Sequence, residues 1–470
     1  MESKFSLTPL ALDVFEAIKQ VGGHVYLVGG CVRDFLLKRR SKDIDVEVHH
    51  LSFAALKEVL SPFGTVQVMG AAFAVVHLST LEGYEFALPR IEEKTGLKHQ
   101  DFNVIVDPDL PLEKACARRD FTINSMLYDI ETGTVIDFYS GQKDLKNGIL
   151  RATNGNHFSE DPLRVLRGAS FMSRYGFKMD PDTKNLCQSI VEEGGLDTLS
   201  TERIYTEYCK ILMGLYPSQG LNFLRDIHGL PFYLQDLDTT HQRTDYHPEG
   251  SVWNHTMLVT DLAALCKHHT SEPLWFMWSA LLHDIGKPLV TTPEGHAYGH
   301  AEEGAALFDE KVNLILSHKQ KRYIYTMIQY HMVLPTFSRN HARKIKFLRF
   351  LKAIDQKAPL KDLLYLARCD KLGRGMVTSA SINELNAYVE EMISMCGDHA
   401  PAAIVTGKDL INEGFENHQD YSKILSLAYD YQLQGLNKEV IIRRLKNETG
   451  CHCSEGCTCQ EPQKCVYRYS

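Results

Sequence analysis

Residues 25–50, VYLVGGCVRDFLLKRRSKDIDVEVHH, constrain the fold more than any other part of this chain. VYLVGG (25–30) reads as a buried strand, CVRDFLLKRR as a short helix and DIDVEVHH (43–50) as a second strand. Gly29 and Gly30 end the first strand and open the helix, where bare backbone and exposed N–H groups suit a phosphate. Asp43 and Asp45 stand two apart in a strand, which predicts both carboxylates on one face. Paired carboxylates in a cleft attract hard divalent cations such as Mg²⁺, which bridge to nucleotide phosphates. A DxD alone more often edges a solvated strand; the order strand, Gly-Gly, short helix, DxD favours the functional reading.

The β pattern continues through TVQVMG, AVVHLS and YEFALP, and SMLYDI and VIDFYS add two further runs. From residue 151 onward apolar residues recur at helical spacing, as in PLRVLRGASFMSRYGF, TMLVTDLAALC and FMWSALLHDIG. The chain is therefore expected to be α+β, a mixed-sheet N-terminal unit followed by an all-helical part. The 470 residues are read as four regions, 1–150, 151–240, 241–400 and 401–470, with a polar boundary in DTTHQRTDYHPEG (238–250). A net charge of −8 argues against indiscriminate nucleic-acid binding but leaves room for a local basic groove. The acidic start, MESKFSLTPLALDVFEAIKQ, lacks a secretory pattern, and no apolar run is long enough to cross a bilayer, so a cytoplasmic protein without a membrane partner is expected. Seven of the 12 cysteines are scattered and read as reduced core thiols; Cys451, Cys453, Cys457, Cys459 and Cys465 crowd the end, where a disordered, soft-metal-binding tail is expected.

Two further segments carry chemistry. In RRDFTINSM (118–126), adjacent arginines can clamp a triphosphate while Asp120 accepts from a ribose hydroxyl; a solvated charged turn is the plainer alternative. EDPLRVLR (160–167) reads as a helix start with Pro162 in its first turn, so Asp161 and Arg164 are expected to share a helix face. Aspartate only accepts hydrogen bonds and arginine only donates them. Together they fit the Watson–Crick edges of C and A, whereas U and G present the opposite groups. An intrahelical ion pair is the bland reading of the same spacing.

GGCVRD…DID, ALPRIEEKTG, RRDFTINSM, DFYSGQKDLKNGILR, EDPLRVLR and TERIYTEYCKIL occur in the order found in class II tRNA nucleotidyltransferases, the CCA-adding enzymes, which this chain resembles over residues 20–215. The resemblance implies a polymerase β-like palm bearing Asp43 and Asp45 on Mg²⁺, with Gly29, Gly30, Arg33 and Asp34 near the triphosphate. It implies that Arg119, Asp120 and Asn124 form the ribose and phosphate motif, that Asp161 and Arg164, with Arg167, form the nucleotide-selecting set, and that Glu202 and Arg203 brace it. The expected partners are tRNA, CTP and ATP. Bacterial poly(A) polymerases share much of this set, so a poly(A) or A-only enzyme is the alternative. ALPRIEEKTGLKHQDF is similar to the family's flexible palm loop.

In the helical part, His255, His283, Asp284 and Asp370 follow the order H…HD…D and resemble the HD phosphohydrolase superfamily over residues 247–375. A lone histidine on an apolar helix is more often a core residue, but four N/O donors make a plausible set for a divalent metal of unspecified identity. His300 and His331 fall where extended members place further histidines, and Lys287 is expected near the phosphate. This implies a second, metal-dependent activity on 2′,3′-cyclic or terminal phosphates. A reading from another class makes the HD site the main activity and the palm an RNA-binding module. The basic run RNHARKIKFLRFLK (339–352) is either a phosphate-tracking face or a solvated one. The oligomeric state is not readable from the sequence.

Overall fold

The computed structural model describes residues 5–69, 75–94, 102–243, 245, 247–374, 379–415 and 420–449. The Cys-rich tail lies outside them. The chain divides into two compact units, Met1–His241 with Ser251–Lys267 and Val312–Ile315, and Gln242–Gly250 with His268–Lys311 and Leu316–Ser470.

In the first unit a mixed seven-stranded sheet has the order β3-β4-β5-β2-β1-β8-β9. Its strands are β1 (His24–Val28), β2 (Ile44–His49), β3 (Val66–Val68), β4 (Val75–Leu78), β5 (Tyr84–Ala87), β8 (Leu127–Asp129) and β9 (Thr134–Ile136). The intervening β6 (Arg90–Lys94) and β7 (Phe102–Val106) pair separately as an antiparallel hairpin. The segment expected as a flexible loop thus has strands on both flanks, while residues 95–101 lie outside the described ones.

Alternation along β2 separates two faces. Val46 and Val48 are buried, in register with Leu27 and Val25 of β1, and Val46 also with Phe86 of β5. Phe15 of helix Pro9–Gln20 packs over them, its ring centroid 6.3 Å from that of Phe86. Asp45, Glu47 and His49 take the opposite face. There Tyr26, Val28 and Leu127 cluster with Cys116 of helix Leu112–Ala117. Asp43 precedes the strand, which begins at Ile44 rather than at the expected residue 43.

Helices Leu163–Tyr175, Thr201–Leu212 and Pro217–Asp226 pack together beside the sheet domain. Helix Val252–Cys266 belongs to this unit: Asp261 accepts from Ser218 Oγ at 2.6 Å, and Trp253 Nε1 donates to Asn222 at 2.8 Å.

The second unit packs helices Pro273–Leu282, His300–Lys311, His318–Tyr330 and Leu360–Leu372. Buried Asp362 ties them, accepting from Tyr323 Oη at 2.7 Å and Ser271 N at 3.1 Å. Further along, Leu410, Ile424, Ala428, Ile441 and Leu445 form a separate small core. The basic run becomes helix Lys344–Ile354, whose apolar side buries Phe347, Phe350 and Leu351. Part of its charge is held internally: Arg349 pairs with Asp430 at 2.7 Å, and Lys344 donates to the Met395 carbonyl at 3.1 Å. Among the described residues no helix is long and apolar enough to cross a membrane.

Candidate functional site

β1 runs into Gly29, whose φ of 72° and ψ of −131° are open to glycine and costly for other residues. Helix Gly30–Leu36 starts at the next residue. Val28 pairs with Asp45 across the antiparallel ladder, which brings the second aspartate beside the glycine turn. A Cβ on Gly29 would stand 3.0 Å from Arg119 Nη1 and 3.2 Å from Asp45 Oδ2. Asp45 is half-buried, and Glu85 is its register partner on β5, so both carboxylates share a face. Burial pushes the Asp45 carboxyl up, the Arg119 charge opposes this, and Glu85 and Asp43 push it up further. Such a gathering of carboxylates is relieved by a hard cation. The donor set fits Mg²⁺.

Arg119 is anchored from below. Glu47, only 2% exposed, accepts from Arg119 Nη2 at 3.2 Å and lies 3.6 Å from Arg118 Nη2; its other oxygen is 3.1 Å from His49 Nε2. Burial would raise the Glu47 pKa, but the His49 hydrogen bond and the two arginines hold it at about 2. Nearby, Arg33 donates to Asn124 Oδ1 at 2.6 Å and through Nε and Nη2 to Asp34 at 3.0 and 2.8 Å, with the Tyr175 ring 5.0 Å from its guanidinium carbon.

Asp120 is more heavily engaged than expected. It accepts from Phe121 N at 2.7 Å, Asn124 Nδ2 at 2.9 Å, and Arg167 Nε and Nη2 at 2.8 and 2.7 Å. Those contacts fill the roughly four lone-pair positions of a carboxylate. A ribose hydroxyl therefore finds no free acceptor here, and Asp120 instead braces Arg167 and Asn124.

Asp161 and Arg164 do not share a helix face. Helix Gly155–Glu160 ends before Asp161, which is extended at φ −123°, and helix Leu163–Tyr175 begins after Pro162. The residue before a proline is pushed out of the helical region, which explains the break. Nor does the intrahelical ion pair form: Asp161 is held by Arg203 Nη2 at 3.1 and 3.2 Å, while Arg164 donates to the carbonyls of His157 at 2.5 Å and Arg118 at 2.7 Å. Arg203 thus reaches the residue it was expected to brace. Glu202 is exposed and does not share that contact.

In the second unit, Asp284, His300 and His331 bring one ligand atom each within 4.8 Å of one another. His283 and His331 cap the ends of their helices, and His300 opens one. Each Nδ1 faces the carbonyl three residues back, Ala280, Ala297 and Ile328, at 2.7–2.8 Å. In neutral His300 and His331 the Nδ1 therefore carries the proton, leaving Nε2 as an acceptor, the usual preparation for metal ligation. The Nε2 atoms of His300 and His331 stand 3.2 Å apart, and that of His300 is 3.3 Å from Asp284 Oδ1. Facing lone pairs beside a carboxylate repel unless a cation lies between them, so the donor set fits a divalent metal. Burial raises the Asp284 pKa, but His283 and Lys287 outweigh it and hold the carboxyl well below its usual range. Burial and the neighbouring histidines lower His331 to about 3. Lys287 Nζ is 2.6 Å from Asp284 and donates to Gln242 at 2.7 Å. Asp370 is buried against Arg374 at 3.2 Å. His255 is buried on helix Val252–Cys266, in the first unit.

Glu47, His49 and Glu85 are not singled out by the sequence, and Arg118 only as one of the arginine pair expected to clamp a triphosphate. The period-two spacing of Asp45, Glu47 and His49 was the available signal for two of them; Arg118 and Glu85 are placed by tertiary pairing.

Residues 25–151 match the family model described as Poly A polymerase head domain, residues 176–239 the Probable RNA and SrmB- binding site of polymerase A, and residues 252–374 the HD domain. The Multifunctional CCA protein of Laribacter hongkongensis is 35% identical over 74% of this chain and 85% of its own length. That of Alkalilimnicola ehrlichii is 32% identical over 84% and 93%. Among solved structures, the Bacillus stearothermophilus CCA-adding enzyme in complex with CTP superposes with a TM-score of 0.63 at 21% identity, covering 95% of this chain and 99% of that one. The Thermotoga maritima CCA-adding enzyme complexed with tRNA gives 0.58 at 19% identity, covering 94% and 96%. These structures share the fold.

Proposed function

The chain belongs to the multifunctional CCA proteins, and on that premise we propose that it builds or repairs the 3′-terminal CCA of tRNA without a nucleic-acid template, using CTP and ATP. The observation that carries this reading is the convergence of Asp45 and Arg119 on Gly29 at the start of helix Gly30–Leu36. Backbone N–H groups at that helix start and the Arg119 guanidinium bind the triphosphate. Asp43 and Asp45, with Glu85 alongside, hold Mg²⁺. Bound there, Mg²⁺ would supply the charge that lowers the pKa of the tRNA 3′-hydroxyl and neutralises the departing pyrophosphate. Arg33, fixed by Asp34 and Asn124, adds positive charge beside the phosphates. Asp161 accepts from the exocyclic amine of C or A, and Arg164 donates to the ring nitrogen. Arg203 keeps the Asp161 carboxylate aimed.

A second, hydrolytic activity on phosphoesters is assigned to the second unit, supported by the Nε2–Nε2 approach of His300 and His331 beside Asp284. His283, Asp284, His300 and His331 would hold the divalent metal there, with Asp370 as a further ligand. A metal in that set would supply the Lewis acid that activates water toward a phosphoester. Lys287 supplies positive charge for the phosphate.

The test supplies tRNAs ending at the discriminator base, at C and at CC with each labelled NTP in Mg²⁺. Addition of CCA, CA and A respectively is expected. A-tailing of every end identifies a poly(A) enzyme, and addition to the CC end alone an A-only enzyme. D43A is expected to abolish incorporation and spare phosphoester hydrolysis, and D284A the reverse. Full incorporation by D43A rejects the palm assignment and favours the hydrolase reading.

A further inference from the structure

Arg118 and Arg119 follow one another directly, and both side chains turn toward a single buried carboxylate, Glu47. Glu47 lies on β2 two residues beyond Asp45 and on the same face, so one strand offers Arg119 two carboxylates in succession. The guanidinium is hydrogen-bonded to the second of them, Glu47. Its Nη2 is on Glu47 at 3.2 Å, while Nη1 and Asp45 Oδ2 both border Gly29. Its Nε is buried without a hydrogen-bond partner. His49 holds the far oxygen of Glu47 at 3.1 Å, and the Tyr26 ring meets the His49 imidazole edge-on, centroids 5.2 Å apart, so the glutamate is fixed from behind.

From this arrangement we infer that Glu47 is a positioning residue that holds Arg119 off Asp45. An arginine–carboxylate pair in a partly buried site is strong and geometrically specific. Without Glu47, Asp45 is the carboxylate that borders Gly29 together with the Arg119 guanidinium. A guanidinium on Asp45 occupies the lone pairs a divalent cation needs and adds a repelling positive charge. With Glu47 present, Arg119 is neutralised at one end and presents its remaining N–H groups to the phosphates, while Asp45 stays open. His49 serves the same end by keeping Glu47 turned toward the arginines. The inference rests on the palm reading above, in which Asp45 holds the metal.

The experiment measures Mn²⁺ binding to the full chain without nucleotide, by the electron paramagnetic resonance of free Mn²⁺. A D284A background reduces binding by the second unit. D45N tests the underlying reading: retention of palm Mn²⁺ binding in D45N rejects that reading itself. Given its loss, E47Q is expected to weaken Mn²⁺ binding about tenfold, as the Coulomb cost of an unopposed guanidinium demands. E47Q/R119M is expected to bring it back to within about threefold of the parent, since the competitor is gone. Unchanged affinity in E47Q, or a loss that R119M does not repair, overturns the inference. If E47Q does not fold, E47D keeps the charge but falls short of Arg119. It is expected to weaken binding at least severalfold with the same repair by R119M, and parental affinity in E47D equally overturns the inference.

Discussion

Replacing each of the two adjacent glycines of the turn after β1 by alanine gives effects of opposite sign. Gly29 sits at φ 72°, ψ −131°, and a methyl group there would stand 3.0 Å from Arg119 Nη1 and 3.2 Å from Asp45 Oδ2. The backbone strain alone costs about 1–3 kcal/mol, and the close approach forces Arg119 or Asp45 to move by a few tenths of an ångström. Gly30 is the first residue of its helix, and its Cβ would meet Arg33 Nη2 at 3.5 Å, an ordinary contact. Alanine there recovers roughly 0.5–1 kcal/mol of backbone entropy. At about 2–4 °C per kcal/mol for a unit of this size, G29A should melt roughly 2–12 °C below the parent and G30A at or slightly above it. Calorimetry of both variants, followed by CTP incorporation at saturating Mg²⁺, is the assay. G29A is expected to lose incorporation beyond what its stability explains, because Arg119 and Asp45 are the groups displaced. A G29A chain as stable and as active as the parent refutes the reasoning.

Other consequences follow from individual contacts. Asp161→Ala should relax discrimination against UTP and GTP by about tenfold, the effect of one lost hydrogen bond, while leaving Mn²⁺ binding intact; unchanged discrimination in primer extension with each NTP argues against a side-chain template. Asp120 has its carboxyl held at about 2 against an ordinary 3.8, because burial, which raises it, is outweighed by the Arg167 charge and by hydrogen bonds from Asn124 and Phe121 N. Since the folded value is the lower one, this stabilisation is complete above the ordinary carboxylate value and is lost as pH falls through about 2. D120N should therefore flatten the acid limb of melting temperature against pH, and a limb identical to the parent's contradicts the brace. Chelation of divalent ions should abolish phosphoester hydrolysis, and H331A should leave it about 100-fold lower even when metal is restored; full recovery by H331A excludes that histidine from the centre.

The strand, glycine pair and DxD were legible because local rules govern them: alternation sets faces, and glycine marks a backbone that others avoid. The same rules failed where two distant segments meet. Glu47 read as one more residue of an alternating strand, and only the fold brings Arg118 and Arg119 onto it. Asp161 was given a helix face by its spacing to Arg164, though the proline after it forbade that conformation; the local signal was present and was outweighed by a periodicity argument. Asp120 matched a motif for sugar recognition, but the four donors around it arrive from segments up to 47 residues away. In the second unit the HD pair was visible as a motif. The convergence of His300 and His331 depends on which helix ends meet.

Each histidine of that cluster is pinned by a carbonyl a single turn behind it. The ring orientation is thus written into local backbone geometry and does not depend on anything arriving from solution. Stripping and reloading the centre should require little reorganisation, so capture of the ion can be fast and the entropic toll of assembling ligands is met when the chain folds. A protein built this way keeps these three side chains in readiness for an ion.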